Sequence, residues 1–151
     1  MRRECEASIA IEATPEAVWG VISDVTRVGE WSGECQGCVW VDGFHAVAPG
    51  ARFRGRNRRG GLRWTRVNEV VAVDAPHELV WITVPSGPYL DSVEWRLSLT
   101  ADAEGTLVRE SFRVLRIPRL MEWGIAVVMP AHRDRTTDLA DDLARLKLVV
   151  E

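Results

Sequence analysis

The sequence contains no apolar run that could cross a bilayer. Its longest, GIAVVMPA at residues 124–131, is far short of the ~20 residues a spanning helix needs. No stable membrane insertion is expected. No secretory leader is expected either. The opening MRRECEASIAIEA carries two arginines, but glutamates interrupt it and no apolar core follows. Cysteine is scarce. Three residues make an odd count, too few for a disulfide scaffold, so a reducing, cytoplasmic setting is expected. Histidine is equally sparse. His45, His77 and His132 stand singly, whereas structural zinc needs four ligands at short spacings. No metal and no cofactor are expected. There is no G-x-S-x-G elbow, no glycine-rich phosphate loop and no Ser/His/Asp arrangement, so no strong catalytic motif is present.

Two side-chain types are nearly absent in favour of a rival. Lysine occurs once against 18 arginines, and tyrosine once against seven tryptophans. The net charge of −3 gives no global pull toward polyanions. Seven arginines nevertheless crowd residues 52–66. Arg52, Arg54, Arg56 and Arg58 alternate with Ala51, Phe53, Gly55 and Asn57. A period of two places them on one solvated strand face, where acids such as Glu69 or Glu94 can pair with them across strands. Nucleic-acid binding is therefore not expected.

A chain of 151 residues is one domain by size, here residues 1–151, with enough length for a core that needs no metal or disulfide. CEASIAI alternates as a half-buried strand. ATPEAVWGVIS follows, with Thr14 as N-cap, Pro15 at the first helical position and Glu16 at the positive end of the dipole. DVTRVGEWSG reads as a second short helix from Thr26. Strand patterns then run to about residue 116, with a hairpin at Gly60-Gly61. The clearest one-face strand is DSVEWRLSLT. From Pro118 the period becomes helical and predicts one long C-terminal helix, kinked or broken before Pro130. The order predicts an α+β fold of about seven antiparallel strands, curved around the long helix.

Five segments carry a resemblance: IEATPEAVWGVISDVTRVGEWS, PGARFRGRNRRGGLRW, DAPHELVWITV, EWRLSLTADAEGTLVRESF and LADDLARLKLVVE. In this order they cover nearly the whole chain, which resembles the START-like (SRPBCC) superfamily, most of all its polyketide cyclase/dehydrase and lipid-transport branch. The resemblance implies a helix-grip fold, with a deep apolar cavity between sheet, C-terminal helix and the two short helices. It implies binding or transport of a small hydrophobic ligand, or, as the alternative, a polyketide aromatase/cyclase or dehydratase acting in the same cavity. A monomer or homodimer is compatible with either.

The residues expected to line that cavity are Phe53, Asn57, Trp64, Trp81, Trp95, Glu110, Phe112, Trp123 and Val127. Aromatics give flat walls, which favours a planar ligand, although plain core packing explains any single tryptophan. Glu110 shares a strand face with Val108 and Phe112. A carboxyl there must be paired, hydrogen-bonded or protonated. It is the one weak catalytic candidate, with a buried pair to Arg66 or Arg133 as the structural reading. Cys35 and Cys38 form a C-x-x-C flanked by Trp31 and Trp40. The spacing suits a redox pair only at a helix N-terminus. Here VWV follows, so the segment reads as a strand entry opened by Cys38, near the expected cavity mouth, with a local disulfide or an adventitious metal as the remaining alternatives.

Overall fold

The computed structural model describes residues 1–151. Strand β1 (Glu4–Ile11) leads into helix α1 (Pro15–Ile22), a 3-10 turn (Val25–Arg27) and helix α2 (Val28–Trp31). Six strands follow: β2 (Cys35–Trp40), β3 (Arg52–Arg59), β4 (Leu62–Asp74), β5 (Glu78–Thr83), β6 (Ser92–Asp102) and β7 (Gly105–Arg116). Helix α3 (Arg119–Val128), a 3-10 turn (Pro130–Arg133) and helix α4 (Thr136–Val150) close the chain. The local signals act as expected at the first helix. Thr14 Oγ1 accepts the Ala17 amide at 3.2 Å and Pro15 opens α1. The β3–β4 hairpin turns at Gly60, which has a positive φ of 59°, a conformation that costs glycine nothing.

The strands form one antiparallel sheet in the order β1-β7-β6-β5-β4-β3-β2. It is curved and open, with β1 and β2 as its edges. Register explains how a wall is made. Val70, Trp81, Trp95, Phe112 and Cys5 are successive cross-strand partners from β4 to β1. One row across the concave face is therefore almost entirely large and apolar, and cross-strand neighbours of this kind stabilise a sheet.

The C-terminal region is broken before Pro130, one of the two outcomes the sequence predicts there. Pro130 lacks an amide hydrogen and its ring crowds the preceding turn. The helix stops at Val128 and restarts at Thr136. Only α4 grips the sheet. It buries Leu139, Leu143 and Leu146, and packs on β1 and α2. Helix α3 has no fully buried residue and borders the cavity instead. The main core joins α1, α2, α4 and the sheet through Val18, Ile22, Trp31, Phe53 and Leu97 among others.

Candidate functional site

The concave face of the sheet, α2, α3 and the start of α4 enclose a cavity of about 340 Å³. Small-molecule sites run from about 300 to about 1,000 Å³. Its walls are aromatic. Phe53 packs edge-on against Trp81 with centroids 5.6 Å apart, and Trp95 tilts on Phe112 at 5.0 Å. Trp64 meets His132 edge-on at 6.0 Å. Asn57, Trp31 and Tyr89 also line it, and Met121, Ile125, Val128 and Met129 come from the α3 side.

Seven of the nine residues singled out from sequence stand in this lining: Phe53, Asn57, Trp64, Trp81, Trp95, Glu110 and Phe112. Trp123 and Val127 do not. They are 66% and 54% exposed and lie outside the lining. The period of α3 was read correctly but its phase was not. Leu120, Trp123 and Val127 form the outward stripe, and Met121 and Ile125 the inward one. Both stripes are apolar, so hydrophobicity alone could not choose between them.

Three polar groups give the cavity its chemistry. Glu110 is 3% exposed. Burial, reinforced by the Asp142 carboxylate, holds its pKa well above the carboxylate range against the pull of Arg135. Both the burial and the neighbouring carboxylate favour the neutral form of Glu110. Its expected pairing with Arg66 or Arg133 does not occur. Arg66 instead pairs with Asp91 (Nη1–Oδ1 2.7 Å, Nη2 to the Asp91 carbonyl 3.1 Å) and lies over the Tyr89 ring. The Arg133 Nε donates to the Ala126 carbonyl. Arg135 places its guanidinium over Trp95 and Phe112, with Cζ 5.2 and 5.4 Å from the ring centroids. Asp142, the second carboxyl, accepts the Gly33 amide at 2.8 Å. Burial raises its pKa to about 6 against that bond and Arg145.

Glu34 fastens the rim. It accepts from His132 Nε2 and Arg135 Nη2, both at 2.5 Å, and pairs with Arg59 Nε at 3.5 Å. Burial opposes its ionisation, but the His132 hydrogen bond and the Arg135 charge outweigh it and set its pKa at about 2. One carboxylate thus ties the α3–α4 break and the β3–β4 hairpin to the entry of β2.

Four buried side-chain atoms have no hydrogen-bond partner: Trp31 Nε1, Arg66 Nε, Glu110 Oε2 and Arg135 Nε. All four belong to residues of the cavity lining. The sequence reading missed Trp31, Arg66, Asp91, Arg135 and Asp142 as lining residues. Arg66 shares a strand face with Trp64 and Asn68, two residues to either side, and is legible by period. Arg135 and Asp142 are not, because their placement depends on where α4 restarts.

Cys35 and Cys38 lie in β2, which begins at Cys35 rather than at Cys38. Both are buried, free and part of the cavity lining. The outer face of β3 carries Arg54, Arg56 and Arg58, all exposed. Arg52 Nε bonds Glu69 Oε1 across the strands at 2.9 Å, the cross-strand pairing the alternation predicts. No helix is long and apolar enough to cross a membrane.

Comparison with solved structures shows the same fold in proteins of distant sequence. A polyketide-cyclase-like protein of Corynebacterium glutamicum, Cgl2372, is 26% identical, with a TM-score of 0.59 over 98% of this chain and 93% of that one. The major latex-like protein 151 of Panax ginseng is 14% identical, with a TM-score of 0.71 over 98% and 97%. DynU16, from the dynemicin biosynthetic locus, is 16% identical, with a TM-score of 0.65 over 99% of this chain and 48% of that one. No curated protein matches in sequence. The model of the family described as polyketide cyclase/dehydrase and lipid transport matches residues 2–151, and with its open seven-stranded sheet gripping α4 the chain belongs to that family.

Proposed function

We propose that this protein binds a small, planar, largely apolar molecule carrying a few oxygen functions, held in the aromatic cavity. The observation that carries this reading is the set of unpartnered polar atoms on Trp31, Arg66, Glu110 and Arg135. A buried polar group without a partner costs about 1–3 kcal/mol. Four of them in the lining of one cavity match a guest that offers acceptors to the indole and guanidinium donors and engages the Glu110 acid. Aromatic walls supply the area and these groups supply orientation. The test is native mass spectrometry of freshly purified protein for a co-purified molecule, followed by tryptophan-fluorescence titration with planar polycyclic phenols. Saturable quenching that weakens in Trp95→Ala and Arg135→Gln supports the reading. Fluorescence unchanged across the panel refutes it.

A second reading, a cyclase or dehydratase on a polyketide-like substrate, is favoured by the pair Glu110 and Asp142. The Glu110 pKa is raised well above the carboxylate range and that of Asp142 to about 6, and carboxyl pKa values set apart in this way suit paired acid and base roles. In that case the walls would fold the substrate into a reactive shape, and Glu110 would protonate a leaving hydroxyl. Turnover of a poly-β-ketone mimic that is abolished in Glu110→Gln, with binding retained, would select this reading over binding alone.

A further inference from the structure

In a regular strand residues three apart point to opposite faces, so Cys35 and Cys38 should be separated by the sheet. They are not. A bulge between Cys35 and Gly37 sets Cys35 opposite Asn57 and Cys38 opposite Gly55. Three steps of β2 thereby match two steps of β3, and both sulfurs reach the cavity side, 3.4 Å apart. Gly55 keeps them uncovered. A β-carbon there would already stand 3.5 and 3.6 Å from the two sulfurs, so any longer side chain would lie across them.

We propose that this thiol pair is a covalent capture site for soft electrophilic guests of the cavity, with Cys35 as the nucleophile and α,β-unsaturated carbonyl compounds as the ligand class. The inference rests on the cavity-binding reading above and adds a reacting atom to it. The two sulfurs are unequal. The contact with Cys38 and the Gly37 amide favour the Cys35 thiolate, while burial and Glu34 oppose it. The balance puts Cys35 below the ordinary thiol range and Cys38 above it. Arg56, on the neighbouring strand, favours both thiolates. The charged groups of the helical segment packed on β2, Arg27 and Glu30, pair with each other at the surface. A thiolate is the attacking form, and it is soft and strongly nucleophilic.

The step is an addition that keeps every atom. Cys35 Sγ forms a bond to the β-carbon of the enone. The C=C π pair moves toward the carbonyl and leaves an enolate. The proton that left Cys35 ends on the α-carbon. The product is a thioether, with no leaving group and no oxidant or reductant.

The experiment pairs chalcone with dihydrochalcone, which differs only in lacking the reactive double bond. Dihydrochalcone binding is followed by tryptophan fluorescence and chalcone addition by denaturing intact mass spectrometry with peptide mapping. Expected is one added chalcone on Cys35, formed at pH 7 faster than with glutathione, since a lowered thiol pKa raises the thiolate fraction. Cys35→Ser should abolish the adduct, and the parent protein should bind dihydrochalcone without forming one. Cys38→Ala should keep the adduct but move its rate–pH profile to higher pH, a change mere packing would not cause. Dihydrochalcone binding with no adduct from chalcone overturns the capture site and leaves the cavity reading standing. Failure of both ligands overturns both. An adduct that persists in Cys35→Ser, or that maps to Cys5, also overturns it.

Discussion

Replacing Glu34 with glutamine tests how the rim is held. Glu34 is a buried carboxylate whose pKa falls from 4.5 to about 2. A shift of roughly 2.5 units at about 1.36 kcal/mol each is about 3 kcal/mol in favour of the ionised form. An independent argument gives a similar figure. Removing one member of a buried ion pair costs about 3–5 kcal/mol, and glutamine, which can still accept one hydrogen bond, belongs at the low end. The sign follows from the direction of the shift. Because the folded pKa is depressed, the contribution is complete above about pH 4.5 and disappears as pH falls through about 2. Glu34→Gln should therefore lose about 3 kcal/mol at pH 7. For a domain of this size that is a fall in Tm of about 6–12 °C. The gap to the parent protein should close between pH 4.5 and 2. Urea unfolding at pH 7, 5, 4 and 3 measures it. A loss below 1 kcal/mol at pH 7, or one independent of pH, would refute the assignment of Glu34 as the ionic anchor of His132 and Arg135.

Glu110 should behave in the opposite sense. Its folded pKa is raised, so the parent protein loses stability as pH climbs above the unfolded value of about 4.3; Glu110→Gln should flatten that slope in thermal melts from pH 5 to 8. Phe53→Ala should cost about 3–5 kcal/mol, because the ring is 1% exposed between Trp40 and Trp81, whereas Trp123→Ala should stay within about 0.5 kcal/mol and leave ligand binding unchanged. Gly29→Ala should destabilise in urea titrations, since its β-carbon would meet the Gln36 carbonyl oxygen at 2.5 Å, a contact with strand backbone that cannot simply swing aside. A Gly29→Ala protein as stable as the parent would mean that α2 does not seat on β2 this closely.

Much of the fold was legible because its signals are local. Thr14-Pro15 sets the start of α1, Gly60-Gly61 turns the β3–β4 hairpin, and the alternation of Val93, Trp95, Leu97 and Leu99 chooses the buried face of β6. The resemblance implies the cavity, and the same alternation chooses which faces turn toward it, which is how Phe53, Trp81, Trp95, Glu110 and Phe112 could be named. Where a second constraint was needed, the sequence was silent. Helix α3 offers two apolar stripes, and only the docking of the helix over the sheet decides that Met121 and Ile125 turn inward and Trp123 outward. Glu34 and Arg135 are 101 residues apart in sequence, and no local pattern announces their contact.

The C-x-x-C shows the division most sharply. The sequence by itself determined a strand at this position and two thiols three residues apart, which regular pleating would send to opposite faces. Only the tertiary structure, through one bulge against β3, set both sulfurs on the cavity side at 3.4 Å. A bulge is a property of two paired strands rather than of either one. Local sequence therefore fixed which residues could form the site, and pairing and docking at long range decided which of them meet.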